Sequence, residues 1–191
     1  PGGRHVYVGI GDEPGGIDVI DMALLQRTKT IPTKGVIVDP MVTPDGKFVV
    51  AGSTALDTIN VIDAQSEELV WTMPTNGDAR PLAFLANPDG STKWMFVQIA
   101  GYDGFAIVDF ATRKEVRRVQ NPGLSGAASP ATSASMVHGM AVTADGKTLV
   151  VCSGQHNSLY AYSLPDLAVI GSVELGGKGA GWVTLTPDGR T

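Results

Sequence analysis

Two histidines, His138 and His156, are the side chains of this 191-residue chain best suited to chemistry. Imidazole changes charge near neutral pH, so two of them brought together could share a metal or act as acid and base. Plainer roles compete. His138 directly precedes Gly139, an ordinary strand-opening pair, and His156 sits in the polar loop Gly154-Gln155-His156-Asn157, which reads as a solvated turn. His5 lies on a strand pattern and reads as packing. Cys152, in Val150-Val151-Cys152, reads as a buried, inert thiol. The stronger motifs are absent: there is no Gly-x-Ser-x-Gly elbow, His-Glu-x-x-His or Cys-x-x-Cys-His. Gly176-Gly177-Lys178-Gly179 lacks the spacing and following helix of a phosphate loop. The run from Gly11 to Gly16 lacks the carboxylate spacing of a calcium loop. The sequence therefore assigns no catalytic residue, no metal site and no cofactor.

Composition narrows the class. There are 24 glycines and 12 prolines, with only 6% aromatic and 17% charged residues. The net charge of −5 argues against a broad nucleic-acid footprint, which needs clustered Lys and Arg. No apolar run approaches a membrane-spanning helix of about 20 residues, and 43% hydrophobic content is too high for a disordered chain. A single cysteine leaves no internal disulfide and no Cys-based metal cluster.

The elements that would position these residues are set by an internal repeat. Tight-turn signatures begin at Pro1, Pro44, Pro88, Ala144 and Pro187, most of them followed by Asp-Gly, at spacings of 43, 44, 56 and 43. A strand pattern starts 15 to 17 residues after each of the first four turns: Ile17-Asp18-Val19-Ile20-Asp21, Ile59-Asn60-Val61-Ile62-Asp63, Phe105-Ala106-Ile107-Val108-Asp109 and Leu159-Tyr160-Ala161-Tyr162-Ser163. Apolar residues alternate, as on a half-buried strand. The repeat units read as 1–43, 44–87, 88–143, 144–186 and the start of another at 187–191. Each parses into four short strands, from an innermost one such as Gly139–Thr143 to an outermost one such as Leu69–Met73. Four antiparallel strands every 40 to 45 residues or so is the arithmetic of a β-propeller blade. The expected fold is all-β, about four blades of a propeller.

With turn, apolar strand, Val-Ile-Asp strand and then His138-Gly139-Met140-Ala141-Val142-Thr143, the chain resembles the YVTN-repeat family of bacterial β-propellers, within the wider quinoprotein-amine-dehydrogenase-like superfamily, over essentially its whole length. Ala144 for the turn Pro, Ser163 for the strand-end Asp and Asn87 before the third turn depart from the pattern. The resemblance implies seven blades, so the chain is expected to be an internal arc of a larger ring. A closed four-bladed ring, with Gly181–Thr186 joining the first three strands, is the competing reading. The family resemblance also implies an exported protein of the periplasm or cell surface.

A residue recurring in every unit is expected to be structural, which covers the strand-end and turn aspartates. Function is expected where the repeat breaks. Loops from outermost to innermost strands share one face with loops between second and third strands, around the channel mouth. The first set offers Lys34, Asp39, Arg80, His138, Lys178 and Trp182. The second offers His156, with Asp12, Glu13, Asp57, Tyr102, Asp103 and Asn157. Lys34, Asp39, Arg80, His138, His156, Lys178 and Trp182 are the candidate ligand-binding residues. The insertion at 121–135 lands on the same face as a lid, a partner-contact loop or a neutral insertion. The leading expectation is a non-enzymatic binding or scaffold propeller taking a small molecule or protein at the mouth. An enzyme or redox subunit is the alternative: a lactonase using His138, Arg80 and Asp39, or a partner in quinone- or haem-dependent dehydrogenation. Single-stranded nucleic-acid binding is a minor one, lowered by few aromatics and negative charge.

Overall fold

A computed structural model describes residues 3–54, 56–123, 139–177 and 181–186. Among them, fifteen strands form four antiparallel sheets, one per repeat. The first sheet holds β1 (His5–Ile10), β2 (Gly16–Asp21) and β3 (Gln26–Ile31). The second holds β4 (Ile37–Val42), β5 (Phe48–Ser53), β6 (Thr58–Asp63) and β7 (Glu68–Pro74). The third holds β8 (Ala79–Ala86), β9 (Thr92–Ile99), β10 (Gly104–Asp109) and β11 (Lys114–Gln120), and the fourth β12 (Gly139–Val142), β13 (Thr148–Ser153), β14 (Ser158–Ser163) and β15 (Val169–Glu174). Strands neighbour in chain order, so every connection is a hairpin or a step to the next sheet. Each four-stranded sheet contains the blade that the repeat arithmetic predicts.

The core is three apolar layers between successive sheets. Ile17, Val19, Ile37 and Val49 fill the first. Val61, Met73, Met95 and Val97 fill the second, and Phe96, Phe105, Tyr160 and Tyr162 the third. In that last layer Phe105 and Tyr162 meet edge to face, with centroids 5.2 Å apart. A single twisted sheet has two faces to cover, and stacking buries the inward side chains of both neighbours. All four third strands shift register at one place, beside Ile20, Ile62, Val108 and Tyr162. A bulge there twists each outermost strand and blunts its exposed edge.

Gly181–Thr186, expected as an innermost strand, runs without a ladder partner among the described residues. Its backbone lies against β12 instead: a Cβ built on Gly139 would stand 2.4 Å from the Val183 amide nitrogen. It does not complete the first sheet, which stays three-stranded.

The strand-end aspartates do what local geometry dictates. Asp63 Oδ1 accepts the amides of Gln65 and Ser66 at 2.9 and 2.8 Å, and Asp21 Oδ1 accepts those of Ala23 and Leu24. Ser163 fills the same place with a longer contact, accepting the Ala168 amide at 3.3 Å. On the same face, Asp45 and Asp145 each accept a threonine hydroxyl and a lysine amide. The Ser66 amide holds the Asp63 carboxyl below the usual range, as the Thr112 amide does for Asp109 and the Thr143 hydroxyl for Asp145. A carboxyl whose folded value is lowered contributes stability above its unfolded value of about 4, and that stability is lost as pH falls through the lowered one. The urea midpoint is therefore expected to be flat from about pH 7 to pH 5 and to drop below about pH 4. A double variant, Asp63→Asn with Asp109→Asn, should flatten that drop; an unchanged acid limb would refute the assignment.

Candidate functional site

Strand order puts the loops between second and third strands on one face with the loops that lead into each innermost strand. Two polar clusters lie there, one at each of two seams between sheets.

The first cluster sits between the second and third sheets. Asp39 and Pro40 occupy a register shift in β4, and Asp39 takes a positive φ of 48° that projects it from the ladder. Arg80, on β8, places Nη1 3.4 Å from Asp39 Oδ2. Burial pushes the Asp78 carboxyl above its usual range, opposed by Arg80 and reinforced by Asp57 and Asp39. One guanidinium thus acts on two of these carboxylates, Asp39 and Asp78.

The second cluster joins the third sheet to the fourth. Asp103 precedes β10 as Asp57 precedes β6 and Asn157 precedes β14, and all three carbonyls accept an amide from beyond the outermost strand. Their side chains part company. Asp57 is exposed, whereas the Asp103 side chain is only 6% exposed. Asp103 Oδ1 accepts Asn121 Nδ2 at 2.9 Å and the Ser153 hydroxyl at 2.8 Å. His156 Nε2 stands 3.0 Å from Asp103 Oδ2, off the alignment of an ideal hydrogen bond. The Ser153 oxygen also accepts the His156 amide at 3.1 Å, closing a ring of contacts. Behind it, Tyr162 donates to Asn121 Oδ1 at 2.7 Å and Tyr160 to the Pro122 carbonyl at 2.6 Å. Burial raises both phenols above their ordinary value, with the Asp103 charge adding to each.

The seven sequence candidates divide. Asp39 and Arg80 meet. His156 is 13% exposed and buried against Asp103 rather than free in a turn. Lys34 is exposed on its loop. Trp182 is 77% exposed and lines a cavity of about 530 Å³ with Met41, Val42, Phe84, Met140 and Val183. This cavity follows the innermost strands, where a channel wall is expected. His138 and Lys178 lie outside the described residues, as do 124–135 of the insertion. The lactonase trio thus shows one contact, between Asp39 and Arg80. Cys152 is buried, and burial raises its thiol above the usual value, which keeps it protonated and unreactive. Among the described residues, no group of three or more His, Cys, Asp or Glu could hold a metal ion.

The sequence pattern singles out neither Ser153 nor Tyr162, and marks Asn121 only as the first residue of the insertion and Asp103 only as one loop residue among several. Their signal was the fourth copy of the strand repeat, where Tyr160 and Tyr162 stand in the places of Asn60 and Ile62.

No protein-family model matches the chain, and neither does any curated protein. Among solved structures, hydrazine synthase from Kuenenia stuttgartiensis superposes on 98% of this chain with a TM-score of 0.76 at 21% identity. The chain has a β-propeller fold. It spans 51% of the length of that structure. At this identity the likeness carries the architecture alone, and the propeller's chemistry has to be argued from its own side chains.

Proposed function

We propose that this propeller is a binding module whose mouth face takes a cationic ligand or a basic protein segment. The charge asymmetry of its two faces carries the reading. Asp12, Glu13, Asp39, Asp57, Asp78 and Asp103 stand on the mouth loops against Lys34 and Arg80 among the described residues. On the opposite face, Asp21, Asp45, Asp63, Asp89, Asp109 and Asp145 are engaged by turn amides, Glu67, Glu68 and Asp166 stand in or beside the same turns, and Arg4, Lys47, Lys93, Arg113, Lys114 and Lys147 are interleaved with them. A concave region of one sign raises the local concentration of oppositely charged partners. The YVTN-like repeat supports an exported bacterial protein as the setting, with a ring completed by further blades.

Pentalysine is a suitable probe. Titrated calorimetrically into the intact protein at low ionic strength, it should bind, and binding should weaken as salt is added. Replacing Asp39, Asp57 and Asp78 together by Asn should weaken it about tenfold, the equivalent of about 1.4 kcal/mol. Pentaglutamate should not bind. Pentalysine binding that survives the triple substitution unchanged would exclude the mouth as the site.

A further inference from the structure

We propose that His156 is a proton-accepting group held ready by Asp103, presenting Nδ1 at the mouth face to a ligand that carries a polarised O–H or N–H. The inference stands on the second cluster and does not require the partner to be cationic. The Asp103 carboxylate 3.0 Å from Nε2, though not aligned as a hydrogen bond, favours the proton on that nitrogen, which leaves the free electron pair on Nδ1. The carboxylate is itself fixed. Asn121 and Ser153 both donate to Oδ1, which turns Oδ2 toward the imidazole. Tyr162, 1% exposed, pins Asn121 in turn. Four side chains from four segments therefore set the orientation of one ring, as second-layer groups do for a general base.

His156 keeps 13% of its side chain exposed while Asp103 and Ser153 are sealed beneath it. Nδ1 takes no part in the hydrogen bonds of the cluster. When the ligand gives its proton to Nδ1, Nε2 keeps its own. The resulting imidazolium lies against the Asp103 carboxylate, and the electron pair of the broken O–H or N–H bond stays on the ligand. His156 is the group that touches the ligand; Asp103 is a positioning residue.

Diethyl pyrocarbonate acylates the bare nitrogen of a neutral imidazole, and peptide mass mapping reads each histidine separately. In the intact protein at neutral pH, His156 should react several-fold faster than His5, whose Nδ1 is 3.8 Å from Glu67. Asp103→Asn should slow His156 several-fold and leave His5 unchanged. Resistance of His156 where His5 reacts, or an unchanged rate in Asp103→Asn, would overturn the proposal. If that variant does not fold, nitrogen NMR of the unaltered protein decides. A protonated Nε2 with a bare Nδ1 supports the assignment, and the reverse tautomer defeats it. Neither readout involves pentalysine, so the mouth-binding reading and this one can fail separately.

Discussion

Replacing Gly52 by alanine should cost about 3 kcal/mol or more, or prevent folding. Gly52 lies in β5, where the second sheet meets the innermost strand of the third. A Cβ there would stand 1.8 Å from the Ala79 carbonyl oxygen and 2.9 Å from its carbon. Both atoms belong to a backbone fixed by the β8–β9 ladder, so no side chain can rotate away. The sheets would have to separate, exposing the layer of Val61, Met73 and Val97. Gly9 makes the same kind of approach to the next sheet, at 2.8 Å from the Ile37 oxygen, and Gly9→Ala should cost less, about 1 kcal/mol. Gly171, in β15, has nothing within 4 Å of a built Cβ, and Gly171→Ala should be neutral or stabilise by a few tenths of a kcal/mol. Urea unfolding of the three variants gives the order directly. Equal effects would show that the inter-sheet approach is not the cause.

Asp103→Ala should cost about 3 kcal/mol, the second largest effect expected. Truncation leaves Asn121 Nδ2, the Ser153 hydroxyl and the His156 ring without their acceptor, and Ser153 is fully buried. Each buried group stranded in this way costs about 1 to 3 kcal/mol, softened by whatever water enters. Asp57→Asn, at the same place in the preceding repeat, should stay within about 0.5 kcal/mol, because that side chain is exposed and Asn tolerates its φ of 48°. A pair of unfolding curves that coincide for these two variants would mean that the cluster contributes nothing to the seam between the third and fourth sheets.

The two positions show why half of the site was legible in the sequence and half was not. Asp57 and Asp103 look alike because both close the loop before a third strand, and the sequence places both among the mouth-face loop residues. What separates them is a contact with Ser153, 50 residues away, and with His156. No spacing within one repeat encodes that contact. The strand-end carboxylates are the opposite case. Asp63 reaches only as far as Ser66, so residue type and local order suffice to place its hydrogen bonds.

The same division holds for the strands. Alternating Val, Ile and Asp predicted the third strands, while β8 runs over eight residues, Ala79–Ala86. Pairing with the long β9 extends it, and ladder length is a property of two strands, not of one. Gly181–Thr186 makes the converse point: a strand-like sequence packs against β12 without forming a ladder among the described residues.

The sequence by itself determined the repeat, the four-stranded blade and the aspartate-capped turns, because all of these rest on contacts between residues a few positions apart. Only the tertiary structure decided which mouth-face residues meet. Arg80 finds Asp39, and Asp103 finds Ser153 and His156, across seams between sheets. Which loops face each other there is fixed by how the apolar layers stack, and that packing is a sum over many distant residues.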